Sequence, residues 1–194
     1  MYKIGAVLIL YATINRSIVI ATAREGERMK TQVLSLLVDN TSGVLSRVAG
    51  MFSRRGFNID SITAGVTADE RYTRITIVTS GDGLVLQQIQ NQVAKLEDVV
   101  SVKKLERDES VTRELIMVKV KASPQDRQAI MSVVDIFRAK VIDVSLDSMI
   151  IELTGSRNKL EAFLELMREH DIVELARTGA TALSRGAGDA GIED

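Results

Sequence analysis

Hydrophobic and polar residues follow two periods along the chain, one typical of strands and the other typical of helices. The run 30–38 is short, apolar and rich in β-branched residues, which predicts a buried strand, and the polar cluster 39–43 predicts the turn after it. Apolar residues then recur at helical spacing up to Gly56, a residue typical of helix ends. The apolar face of this predicted helix consists of Val44, Leu45, Val48, Met51 and Phe52.

The following segments complete one structural unit. Strands are predicted at 57–66 and 72–79, and the short polar turn between them indicates a hairpin. A fourth strand at 99–105 ends the unit, so its order is βαββαβ. The second helix of the unit is predicted where apolar residues again recur at helical spacing, at Leu86, Ile89, Val93 and Leu96.

The same order is predicted a second time. A charged linker is predicted at 106–112, and the only proline, Pro124, stands where the first turn of a helix tolerates it. The strands of this unit are predicted at 115–120, 141–144, 149–153 and 172–176. The buried faces of its two helices are predicted on Ile130, Val133, Val134 and Phe137, and on Leu160, Phe163, Leu164 and Met167.

Two βαββαβ units predict the α+β fold class, with two tandem ferredoxin-like domains at 29–105 and 113–186 and a flexible tail at 187–194. Each domain then has an antiparallel sheet with both helices on one face, which leaves the other face open. A unit of about 75 residues buries too little apolar surface to be robust alone. We therefore expect a homodimer.

Residues 1–28 precede this pattern and have two interpretations. The apolar run 4–12, followed by small residues at 21–23, is similar to a secretion signal with its processing site. However, polar residues at 15–17 interrupt the stretch, and the run is shorter than the roughly 20 residues of a membrane span. We favour an N-terminal extension before a natural start at Met29, and its role stays open.

Composition and charge narrow the range of functions. With 45% hydrophobic and 26% charged residues, the chain has the composition of a globular protein. A formal net charge of −1 provides no field for phosphates or anionic lipids, so we expect neither nucleic-acid nor membrane partners. Aromatic residues make up 4% of the chain, too few for the stacking positions of an RNA-binding sheet. The lack of cysteine fits a reducing compartment, and we expect a cytoplasmic protein.

The sequence shows little that is typical of an enzyme. It has one histidine and no cysteine, and His170 follows a predicted helix, where a solvated side chain is more common than a metal ligand. The run Gly81-Asp82-Gly83 lacks the lysine and hydroxyl of a phosphate loop and is predicted to be a turn. A small hydrolase such as an acylphosphatase shares the topology, but it needs an arginine-bearing phosphate loop that this sequence lacks. We expect no catalytic residue, metal or cofactor on this chain.

One segment carries more than the fold requires. At 39–45 a predicted strand passes directly into a helix, so several unpartnered backbone N–H groups point at one space, where a carboxylate is favoured. Gly43 lets a small ligand approach the main chain, and the amide of Asn40 can bind an ammonium or a carboxylate group. Ordinary helix capping by Thr41 or Ser42 is the alternative explanation of the same residues.

The run LVDNTSGVLSRVAGMFSRRGFNIDSI at 37–62 resembles the start of acetolactate synthase small subunits, the regulatory subunits of an enzyme of branched-chain amino-acid biosynthesis. The similarity continues through TRITIVTSGD, the strand REL-MVKV, IFRAKVIDVS and IVELARTGATALSRG. It covers 29–186 and does not require residues 1–28. The resemblance implies that the first domain is an ACT domain, an amino-acid-sensing module of ferredoxin-like topology.

The resemblance further implies that two ACT domains pair side by side and bind valine between the first loop of one copy and the second-strand region of the other. The residues that it places at the valine site are Asn40, Gly43, Val44 and Leu45 on one wall, and Asn58 and Ile59 from the opposing protomer. From the residues alone, Asn58 either opens a strand or faces the first loop of a second protomer.

The resemblance also implies a partner, the catalytic large subunit of acetolactate synthase, which this chain activates and to which it transmits valine feedback inhibition. Thiamine diphosphate, Mg and FAD are expected on that partner. The alternative is a free-standing ACT-type sensor that acts on another enzyme or on a transcription factor.

Overall fold

The computed structural model describes residues 29–186, and the predicted extension 1–28 and tail 187–194 lie outside the described residues. The first domain contains β1 (Lys30–Asp39), α1 (Val44–Arg54), β2 (Ser61–Val66), β3 (Tyr72–Gly81), α2 (Gly83–Val93) and β4 (Val99–Leu105). The second contains β5 (Ser110–Lys121), α3 (Arg127–Phe137), β6 (Lys140–Val144), β7 (Ser148–Gly155), α4 (Arg157–Met167), β8 (Ile172–Arg177) and β9 (Thr181–Ser184). A one-turn 3₁₀ helix (Arg168–His170) follows α4.

The sheet of the first domain is antiparallel and has the strand order β2-β3-β1-β4. Side chains of a strand alternate between the two faces of the sheet, so Leu34, Leu36 and Val38 of β1 lie on the same face. On that side they pack against the apolar faces of α1 and α2, including the fully buried Phe52 and Ile89. The core of this domain therefore lies between the sheet and its two helices.

The second domain repeats this architecture with the strand order β6-β7-β5-β8. Its core joins Val118 of β5 and Ile151 of β7 to both helices, where Phe137 and Phe163 meet edge to face with ring centroids 5.4 Å apart. The predicted α+β class with two tandem ferredoxin-like domains is thus confirmed.

The face of the first sheet that points away from the helices is covered by the end of the described chain. Residues 179–184, termed the strap below, lie across it. At one sheet edge Thr63 of β2 donates a hydrogen bond to the carbonyl of Ala180, and at the other edge Lys103 of β4 donates to Ser184 at 3.1 Å. The strap is thus attached to both edge strands of the sheet.

The dimensions of the sheet agree with this path. Four strands about 4.8 Å apart make a sheet roughly 14 Å wide, and the run from Ala180 to Ser184 spans about 13 Å when extended. The strap, in which Ala180 and Ala182 are each 1% exposed, therefore crosses all four strands. The buried side chains on this face of the sheet are Ser35, Leu37, Thr76, Val78 and Leu105.

The strap removes one of the two open sheet faces on which the predicted homodimer was based. The prediction assumed that both sheets have an open face, but in the first domain the same chain occupies that face. On the second sheet, Met117 points to the side opposite the helices and is 40% exposed. The homodimer stays a prediction, and the first sheet face is not available for it.

Two predicted boundaries in the first domain were wrong by three residues or more. The second strand was predicted to start at 57 but starts at Ser61, because Phe57 is held by the end of α1 and residues 58–60 make separate hydrogen bonds to β3 instead of a continuous strand pairing. The N–H of Phe57 donates to the carbonyl of Phe52, and the two rings meet edge to face at 6.2 Å. The second helix ends at Val93, so Leu96 packs against the core from the turn that follows.

In the second domain, the predicted linker 106–112 is partly a strand. β5 begins at Ser110, whose side chain is buried, and its first residues, 110–113, pair with β9. Pro124 precedes α3, which begins at Arg127, instead of lying in its first turn. None of the helices formed by residues 29–186 is long and apolar enough to cross a membrane.

Candidate functional site

The corner between β1 and α1 contains a helix N-terminus without a side-chain cap. Gly43 is the residue before the first helical turn, and its φ of 85° and ψ of −8° place it in the left-handed region, which glycine adopts without strain. No side chain accepts a hydrogen bond from the first-turn amides, so the predicted alternative of capping by Thr41 or Ser42 was wrong. The N–H groups of the first turn are therefore available to an anion.

Asn40 fixes the shape of this corner. Its side-chain Nδ2 donates to the carbonyl of Glu70 at 2.8 Å, and its Oδ1 accepts from the hydroxyl of Thr73 at 3.1 Å. Its backbone N–H donates to the carbonyl of Arg71 at 2.7 Å. These bonds join the end of β1 to the turn before β3. The amide keeps one N–H and one oxygen lone pair for a ligand.

An ion pair closes the other side of the corner. Arg47 of α1 donates from Nε and Nη2 to both carboxylate oxygens of Asp98, at 2.5 and 2.6 Å. These hydrogen bonds lower the pKa of the Asp98 carboxyl below its ordinary value and raise the pKa of Arg47. Because Asp98 also accepts the backbone N–H of Asp39 on its carbonyl, the pair connects α1 to the end of β1.

Removing the guanidinium tests this electrostatic assignment. We expect Arg47→Met to raise the pKa of Asp98 toward its ordinary value, as measured by an NMR titration of the side-chain carboxyl carbon. Since the folded pKa is lowered, the pair stabilises the fold above the ordinary carboxyl pKa, and this stabilisation is lost as the pH falls through the lowered value. Arg71→Met is the matched control, because Arg71 lowers the pKa of Asp69 in the same way. Equal Asp98 titration curves in the two variants would contradict the assignment.

A cavity of about 180 Å³ lies at this corner, on the side of the sheet that faces the helices. Its lining combines the β1–α1 loop with side chains of β2 and β3, and consists of Val38, Asp39, Asn40, Thr41, Gly43, Val44, Leu45, Ala64, Thr73 and Ile75. Val44 is buried, whereas Leu45 is 47% exposed at the rim. The cavity thus presents backbone N–H groups, one amide and an apolar wall to a small ligand.

Four of the six residues predicted for the site line this cavity, namely Asn40, Gly43, Val44 and Leu45. The other two do not. The side chain of Asn58 donates to Asp60, and Ile59 packs against the edge of the first core.

The position of Asn58 along the sheet explains why it cannot reach the cavity of its own chain. Its carbonyl accepts from the hydroxyl of Thr79, whereas Thr73 lines the cavity. These two threonines are six residues apart on β3, which is roughly 20 Å along a strand. A site that combines Asn58 with Asn40 therefore requires a second copy of the chain.

The sequence interpretation missed Ala64, Thr73 and Ile75 as cavity residues. Thr73 and Ile75 alternate with Arg74, and this alternation places both on one face of β3, the face that Ile75 shows to be the core side. The register of β2 against β3 pairs Ala64 with Ile75, which brings Ala64 to the same place. The alternation was readable from the sequence, but the register was not.

The described residues show neither a candidate metal site nor a phosphate loop at 81–83. Residues 29–186 contain no group of three or more His, Cys, Asp or Glu side chains that could hold a metal ion. The carboxylate of Asp82, in the run once considered as a phosphate loop, accepts from the N–H of Val85 at 2.8 Å and caps α2. That run therefore starts a helix.

Two family models match the chain. Residues 34–101 match the model described as the AHAS small subunit-like ACT domain, and residues 113–186 match the model described as the small subunit of acetolactate synthase. The two matches fall on the two structural domains.

Curated relatives and a solved structure agree with these models. The chain is 50% identical to a probable acetolactate synthase small subunit from Methanothermobacter thermautotrophicus. The aligned region of 158 residues covers 81% of this chain and 94% of the relative. The chain is 44% identical over 158 residues to the acetolactate synthase small subunit of Mycobacterium leprae, with the same coverage. The crystal structure of the acetolactate synthase small subunit from Thermotoga maritima superposes with a TM-score of 0.76 at 41% identity, over 82% of this chain and 99% of that one.

Proposed function

Because the chain belongs to the family of acetolactate synthase small subunits and carries the ACT domain of that family, we propose that it is a regulatory subunit that activates the catalytic large subunit and transmits valine feedback inhibition. The cavity at the uncapped N-terminus of α1 is the observation that supports this proposal most directly. A sensing domain needs a site for its effector, and this cavity has the size and polarity for a small amino acid.

The groups around the cavity suit the three parts of valine. Its carboxylate accepts from the backbone N–H groups that follow Gly43, where the helix dipole also favours a negative charge. Its ammonium group donates to the oxygen of Asn40, which has a lone pair left. Its isopropyl group packs against Val44 and Leu45.

In this proposal a homodimer completes the site. Asn58 and Ile59 of a second copy close the cavity from outside, since they lie too far from it within one chain. The exposed Val66 at the free edge of β2 and Leu45 at the rim of the cavity provide an apolar surface for that pairing.

The catalytic chemistry belongs to the partner in this proposal. Thiamine diphosphate, Mg and FAD are expected on the large subunit, and this chain acts by binding to it. Valine then favours an arrangement that activates the partner less. Such coupling between sites amounts to about 1 to 3 kcal/mol and is reciprocal, so binding of the large subunit also changes the affinity for valine.

Two measurements test the proposed function. The full chain is expected to be pulled down by the large subunit of acetolactate synthase and to raise its activity, and valine is expected to reverse that increase. Calorimetry on the chain without the large subunit should show valine binding. A chain that binds valine but neither retains nor activates the large subunit would instead be a free-standing ACT-type sensor.

A further inference from the structure

One face of strand β2 forms part of the wall of the cavity, and the opposite face contacts the strap. Ala64 points to the helix side and lines the cavity, whereas its neighbour Thr63 points to the opposite face and donates to the carbonyl of Ala180. Ser61, on the same side as Thr63, accepts from the N–H of Ala180 at 2.9 Å. The backbone of Ala180 is therefore bonded through both its polar groups to the outer face of β2.

The strap is also fixed to the second domain. Its β9 residues pair with 110–113 of β5, and β5 continues as the central strand of the second sheet. Just before the strap, the N–H of Thr178 donates to the carbonyl of Leu115 at 3.1 Å. A movement of β2 in the first domain therefore displaces the strap, which is hydrogen-bonded to β5, the central strand of the second domain.

We propose that the strap (residues 179–184) couples occupancy of the cavity in the first domain to the arrangement of the second domain, with β2 as the shared element. When the strap is attached, it holds β2 in the position that places Ala64 in the cavity wall. A ligand that presses on this wall changes the strap contacts, and a strap released from β2 weakens ligand binding. The nature of the ligand rests on the proposed function, whereas the attachment of the strap does not.

Gly179 allows the attachment to be broken with a single methyl group. Its φ is +86°, and a Cβ at this position would clash with Oγ of Ser61 and come within 3.4 Å of Thr63. Gly186 provides a matched control, because its φ of +74° imposes a similar backbone strain while a Cβ there meets nothing within 4 Å. Gly179→Ala and Gly186→Ala thus differ mainly in the contact with β2.

The experiment uses the full chain and two independent measurements. Hydrogen exchange reports whether the amides of 61–66 and 180–184 are protected, and calorimetry reports the affinity for valine. We expect Gly179→Ala to speed exchange in both segments and to weaken valine binding fivefold or more, within the range of ordinary allosteric coupling. Gly186→Ala should resemble the wild type in both measurements.

A second variant approaches the same contact from the sheet. Thr63→Val keeps the shape of the side chain but removes the hydroxyl that donates to Ala180, so it should produce the same two effects without a clash. The proposal is overturned if either variant speeds exchange in the strap while valine affinity stays unchanged, or if exchange in β2 stays unchanged in both. A wild-type chain that binds no valine would refute the proposed function, while the exchange data would still decide whether the strap holds β2.

Discussion

Replacing Gly43 by Asp is expected to abolish valine inhibition while the variant still activates the large subunit. The new carboxylate would stand beside the backbone N–H groups that are proposed to bind the carboxylate of valine. Two like charges about 4 Å apart repel by roughly 4 kcal/mol at an effective dielectric constant of 20. Even half of this repulsion weakens binding more than tenfold, and the full value exceeds a hundredfold. Calorimetry with the isolated chain and inhibition assays with the large subunit measure the two effects separately.

Two control variants separate charge from shape in this experiment. A Cβ at Gly43 comes 2.9 Å from Nη1 of Arg47, so any side chain there must displace the end of that arginine. Gly43→Asn imposes the same displacement without a charge and should retain more valine binding than Gly43→Asp. Gly56→Asp places the same residue at another left-handed position, with φ +67° and open space, at the far end of α1. If Gly43→Asp bound valine as tightly as Gly56→Asp does, the proposed site would be refuted.

Hydrophobic periodicity was sufficient to predict the fold, because each helix of this chain buries one face and each sheet packs one of its faces against two helices. The run from Leu34 to Val38 is a short and almost continuous apolar stretch, which is typical of a buried strand, and the spacing of Val44, Val48 and Phe52 matches one face of a helix. A pattern that occurs twice in the same order then identifies two domains of the same topology. These hydrophobic patterns lie within single segments of the sequence, so they can be read without knowledge of the tertiary structure.

The strap was not predictable in this way. Thr181–Ser184 is a four-residue strand whose inward-facing residue, Ala182, is small, so its hydrophobic period is weak. Its pairing partner, 110–113, follows a run of charged residues, and its first three residues were interpreted as part of the linker 106–112 for that reason. Both segments become strands because they pair with each other over the first sheet. This is a tertiary effect that overrides local preference.

The candidate site was predicted only in part, because one of its walls depends on the tertiary structure. The N–H groups at the start of a helix are a property of local structure, so the corner at Gly43 was readable from the sequence. The opposite wall, with Ala64 and Thr73, depends on how β2 and β3 are aligned. Two hydrogen bonds of the Asn40 side chain were also unforeseen, one donated to Glu70 in the turn before β3 and one accepted from Thr73 of β3, and they show that this residue shapes the cavity in addition to facing it.

Ending the chain after Arg177 is expected to destabilise the first domain, although the removed residues belong to the second half of the sequence. The truncation removes the strap and uncovers the sheet face on which Leu37, Val78 and Leu105 are almost fully buried. Burial of one such side chain contributes about 1.5 to 3 kcal/mol. Partial exposure of three therefore costs on the order of 5 kcal/mol, a large part of the stability of an ordinary domain. Urea unfolding measures the loss, and binding of a hydrophobic dye reports the exposed face.

A chain that ends after Gly186 is the control for this truncation, because it keeps every residue of the strap and both of its attachments to the sheet. Equal unfolding midpoints for the two truncated chains would mean that the strap does not stabilise the first sheet. The result also decides how to study the role of the second domain. A cut after Glu109 would remove both β9 and its partner 110–113, so lost regulation could result from an exposed sheet face in the first domain. Substitutions at Gly179 or Thr63 avoid that ambiguity, because they loosen the strap while both domains stay in the chain.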